Sequence, residues 1–85
     1  MMYPFMTLND DTEITHSEMK PDGRVKVYIE TPDAKDGFHN AVCWLPQYQW
    51  KKIRGYSKVK MMKIKKLVRK NMRQILSLSR ERIIA

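Results

Sequence analysis

The chain has 85 residues, with 17 lysines and arginines against nine acids and a formal net charge of +8. A chain of this length makes one small domain that buries only somewhat more than about 60% of the surface it exposes when unfolded, so its core is small and its stability modest. Hydrophobic residues at 42% and charged residues at 31% match an ordinary folded domain and exclude wholesale disorder.

Turn chemistry divides the first half into four extended segments. Residues 3–8 end at Asn9, Asp10 and Asp11, whose short side chains bond their own backbone and tolerate left-handed conformations. A second strand over residues 12–19 stops at Pro21, Asp22 and Gly23, where proline presets φ and glycine supplies a positive φ that closes a hairpin. Residues 24–31 are the clearest strand, because Val25, Val27 and Ile29 alternate with Lys26, Tyr28 and Glu30 at the period of a half-buried sheet. After a polar loop over residues 32–37, a fourth strand is predicted at 38–45, with Phe38, Asn40, Val42 and Trp44 on one side. Together residues 1–45 read as an antiparallel meander.

From Leu45 the pattern changes. Pro46 suits the first position of a helix and Gly55 its end, which predicts a short helix within residues 46–54. Ser57 can cap a long helix over residues 57–82. On a helical wheel Met61, Ile64, Val68, Met72 and Ile75 fall on one stripe, with Leu67, Leu76 and Leu78 at its margins. The expected fold is therefore α+β: a single small domain, residues 1–85, with a four-stranded meander, a short helix and a long basic helix packed on the sheet.

Charge is the most informative feature. Residues 51–85 carry 13 lysines and arginines against one acid, Glu81, a net +12, whereas residues 1–50 carry four against eight, a net −4. Lys63, Lys66, Lys70 and Arg73 succeed one another at three- and four-residue steps, with Arg69 and Arg80 beside them, opposite the apolar stripe. Residues 63 to 73 span about 15 Å of helix, enough to reach several phosphates. Like charges at these spacings repel by about 0.2–0.5 kcal/mol per pair, and Glu81 is the one acid in the tail to relieve it. The function this predicts is non-enzymatic binding of a DNA or RNA backbone through Lys63, Lys66, Arg69, Lys70, Arg73 and Arg80. The alternative is a protein-interaction module or homodimer whose basic helix docks an acidic partner, and the bland reading is a solvated helix face.

Tyr48, Trp50 and Tyr56 interleave with Lys51, Lys52 and Arg54, a pattern that suits base stacking and equally suits a seam between helix and sheet. Helix-turn-helix and zinc-finger spacings are both missing. Metal binding by His16, His39 and Cys43 is disfavoured, since residues 39 and 43 of one strand stand about 13 Å apart. The acids Asp10, Asp11, Asp22, Asp33 and Asp36 sit in predicted turns, and three glycines make no phosphate loop. No catalytic residue, cofactor or metal is expected. The single Cys43 excludes an internal disulfide and fits a reducing compartment, and no run approaches the roughly 20 apolar residues of a membrane span. Residues 1–11 lack a signal-peptide pattern, so a cytoplasmic location is expected, and the lack of aromatics after Tyr56 disfavours peripheral membrane contact.

Overall fold

The alternating strand is the middle of the molecule. The computed structural model describes residues 1–82, and in it β3 (Val25–Asp33) buries Val25, Val27 and Ile29 completely while Lys26, Tyr28 and Glu30 stay partly open. Around it lie β1 (Met2–Thr7), β2 (Glu13–Ser17), β4 (Gly37–Leu45) and β5 (Gln49–Arg54) in one antiparallel sheet of order β1-β2-β3-β4-β5. Two helices, α1 (Lys58–Lys70) and α2 (Met72–Glu81), follow and cover one sheet face. The class is α+β, with one strand more than expected and the long helix in two parts.

The turns follow from their residues. Asp11 stands at φ 65°, and Gly23 and Gly37 both at 83°, so the first three reversals are made where a left-handed conformation is cheap. Asp10, Asp22 and Asp33 accept backbone N–H bonds from Thr12 (3.1 Å), Arg24 (3.0 Å) and Asp36 (2.8 Å) respectively, which is the turn role expected of them.

Register then assembles the core in rows across the strands. Ile14, Ile29 and Ala41 form one, and His16, Val27, Cys43 and Trp50 the next. Met61, Ile64, Val68 and Ile75, from the predicted helical stripe, close over them. Phe38, Asn40, Val42 and Trp44 do share a side of β4, and it is the side away from the helices, where Arg24 lies 4.3 Å over the Trp44 ring.

The short helix of residues 46–54 is not formed. Residues 46–48 are a turn and β5 replaces the helix. The strand wins because Trp50, paired with Cys43, is placed on the core face, and an edge strand recovers ladder hydrogen bonds from β4. One extra residue is absorbed between the Val42–Lys51 and Asn40–Arg54 pairs, a bulge with Lys52 at φ 52°. Gly55, expected to end the helix, ends the strand instead. At φ 87° it lies so close to the His39 ring that an added Cβ would come within 2.2 Å of Cδ2.

The continuous helix is also divided, at Asn71. Its Nδ2 donates to Leu67 O at 2.8 Å, competing with the backbone, and its own N–H is shared between Leu67 O and Val68 O, both at 3.2 Å. Polar ties anchor α2 to β2: Met19 N–H donates to Ser79 O at 3.1 Å, and buried Ser79 Oγ lies 2.8 Å from buried His16 Nδ1.

Two expectations arise directly from these contacts. Cys43 is fully buried, and desolvation pushes its thiol up to about 12 against a small opposing effect of Lys65. Since only the thiolate reacts, and an ordinary thiol has a pKa of about 8.5, native Cys43 should label with a disulfide reagent at neutral pH at least about a hundredfold more slowly than the unfolded chain. Equal rates would place the residue outside the core.

The second concerns Asp10, which accepts hydrogen bonds from Lys60 Nζ and Thr12 N–H and thereby joins the β1–β2 turn to α1. The Lys60 bond first, then the Thr12 side chain and backbone, hold its carboxyl at about 2. A depressed carboxylate stabilises fully above its unfolded value of about 3.9 and loses that contribution as pH falls toward the folded value. The side chains are 27% and 48% exposed, so the contribution is under about 1 kcal/mol. Asp10→Asn should therefore lower Tm slightly at pH 7, by an amount that shrinks below about pH 4. A difference that persists undiminished to the acid end would refute the pairing.

Candidate functional site

The basic surface is built from the N-terminal cap of α1 onward. Ser57 is extended and its Oγ accepts Lys60 N–H at 3.1 Å, which sets the phase of the helix. With Met61, Ile64 and Val68 turned to the sheet, Lys63, Lys66, Arg69 and Lys70 face solvent, and across the Asn71 break Arg73 and Arg80 do so from α2.

Five of the six predicted residues are brought together. Lys63, Lys66 and Lys70 line a shallow depression floored by Leu67, and Lys70 also lines the adjoining one, about 560 Å³, with Arg69, Arg73, Met72 and Leu76. The second depression lies at the helix break, so the break draws cations from two helices to one hollow. Arg80 is exposed near the end of α2 and lines neither. Arg69 and Lys70 sit in the last turn of α1, where the helix dipole favours positive charge. Among the described residues, the ion pairs involving helix cations reduce to Lys60 with Asp10, and none of the six is neutralised.

The aromatic residues do not form a stacking platform. Tyr48 Oη donates to Lys65 O at 2.7 Å, and its ring meets Trp50 edge-on at 5.9 Å. Tyr56 Oη lies 2.8 Å from Thr31 Oγ1, which in turn is 2.6 Å from Thr12 Oγ1, and its ring meets His39 edge-on at 5.7 Å. Burial pushes the Tyr56 phenol up. All three are half-buried against the core. They fill the seam between sheet and helix.

His16, His39 and Cys43 do not converge. Val27 separates His16 from Cys43 in the sheet, a separation of about 10 Å across two strand spacings. His39 instead joins Asp33 and Asp36, whose ligand atoms and its own lie within 4.8 Å of one another. That grouping, missed by the reading of the three thiol and imidazole residues, was visible as acids and a histidine at steps of three around the β3–β4 turn. Its groups are already engaged: Asp33 Oδ2 accepts from Lys35 N and Asp36 N, and His39 Nε2 is 3.1 Å from Asp36 Oδ2. The Ser79–His16 contact also escaped sequence reasoning, since the two residues are 63 positions apart. It resembles a nucleophile with its base, but both side chains are sealed from solvent at 0% and 1% exposure, and a substrate has no access.

No known family model matches the chain, and no curated protein or solved structure is significantly similar to it. No helix among the described residues is long and apolar enough to cross a membrane.

Proposed function

We propose that the protein is a small non-enzymatic binding protein, resident in the cytoplasm, that holds a DNA or RNA backbone against the solvent face of α1 and α2. The observation that carries this is the pair of adjoining depressions lined by Lys63, Lys66, Arg69, Lys70 and Arg73, none of which has an acidic neighbour within ion-pairing distance among the described residues. Gathering unpaired cations costs self-repulsion, which a phosphate chain removes while releasing its counterions. Arg80 adds an outlying contact. With Tyr48, Trp50 and Tyr56 packed against the core, the contacts left are to phosphates, which supports binding with little sequence preference.

The test is fluorescence anisotropy with labelled random-sequence DNA and RNA oligomers at low salt. Binding is expected, and unlabelled random competitors should displace the probe as well as any defined sequence does. A folded protein that binds neither polymer at low salt would leave the protein-partner reading in front. Within that second reading, a module or homodimer with an acidic partner, the module is favoured by one observation of its own: Ile53, Val59 and Met62 are 44%, 62% and 69% exposed.

A further inference from the structure

Six large apolar residues stand exposed among those described, and three of them, Ile53, Val59 and Met62, fall within ten positions of one another, where β5 passes into α1. Ile53 and Met62 line a depression of about 460 Å³ with Tyr56 and Met61. Val59 lies one helical step from Met62, so the apolar surface continues out of the depression onto the first turns of α1. Three neighbouring exposed apolar residues are more than the isolated ones that any surface carries.

The rim is positive. Lys58 and Lys65 line the depression, and the first turn of α1 has no acid to offset the positive end of its dipole. Among the described residues no acid lines the depression, and Asp10, beside it, is already bonded to Lys60. A second copy is a poor occupant, because a two-fold contact brings each patch onto itself and sets these cations face to face. A phosphate chain is equally poor, for it offers nothing apolar to Met62 and Ile53.

We infer that the depression between β5 and α1 docks an acidic segment of another protein, with a bulky apolar side chain seated over Ile53, Tyr56 and Met62 and carboxylates facing Lys58, Lys65 and the start of α1. Methionines suit the role because their flexible thioethers adapt to different apolar shapes. The inference is independent of the nucleic-acid reading, since the depression shares no lining residue with the two basic ones.

The test uses the full chain with methyl-labelled methionine and isoleucine, titrated with a synthetic amphipathic peptide that carries leucine on one face and glutamate on the other. The methyl signals of Met62 and Ile53 should shift with saturation. Replacing leucine by serine, or glutamate by lysine, in the peptide should each weaken binding at least about tenfold. Met62→Ser, at a position 69% exposed and so compatible with the fold, should do the same while leaving affinity for a random DNA oligomer within about twofold. Equal binding of the serine peptide would reduce the effect to charge alone and overturn the inference. So would unmoved Met62 and Ile53 signals.

Discussion

A chain ended after Gly55 is expected to lose its cooperative thermal transition and its native amide dispersion. The cut leaves all five strands in place, but it removes Met61, Ile64, Val68 and Ile75, which are at most 7% exposed and close the core over Val25, Val27, Ile29 and Cys43. Burial of each such side chain stabilises by about 1.5–3 kcal/mol, so the four together are worth about 6–12 kcal/mol. The whole stability of a small domain is about 5–15 kcal/mol. The truncated sheet would also lose the Met19–Ser79 and His16–Ser79 ties and leave His16 facing an open surface. Circular dichroism with a melting curve and an amide correlation spectrum decide the matter. A sharp transition and dispersed signals from residues 1–55 would mean that the sheet is self-sufficient and that the helices are accessories.

Much of this core can be read from the chain because its signals are local. Val25, Val27 and Ile29 alternate cleanly, the turn acids and glycines mark the hairpins, and the stripe from Met61 to Ile75 has helical spacing, so four strands and the buried helix face are legible. The segment from Pro46 to Gly55 is not. Proline at a helix start and glycine at a helix end are real preferences, yet they are outweighed by a non-local gain, the pairing of β5 with β4 and the placing of Trp50 opposite Cys43. The break at Asn71 depends on one side chain turning back to Leu67 O, a choice that periodicity does not encode.

The candidate site divides along the same line. Which cations face solvent follows from the helix period, and Lys63, Lys66, Arg69, Lys70 and Arg73 are where the wheel puts them. That Lys70 joins two hollows, and that Arg80 stands apart from both, follows from the break and was not legible. The apolar depression at Ile53 was hidden as well, because it depends on β5 being a strand rather than a helix.

The most direct test of the nucleic-acid proposal is the salt dependence of affinity for duplex DNA. Each neutralised phosphate contributes about −0.9 to the slope of log K against log salt, so the five clustered residues with or without Arg80 predict a slope between about −4.5 and −5.4. Replacing Lys66, Lys70 and Arg73 with glutamine removes three contacts and should flatten the slope by about 2.7 units. Affinity at low salt should drop steeply, with little change in Tm because all three side chains are solvent-exposed. A wild-type slope near zero, or a triple variant that keeps the wild-type slope and affinity, would contradict the proposal that this face holds the phosphate backbone.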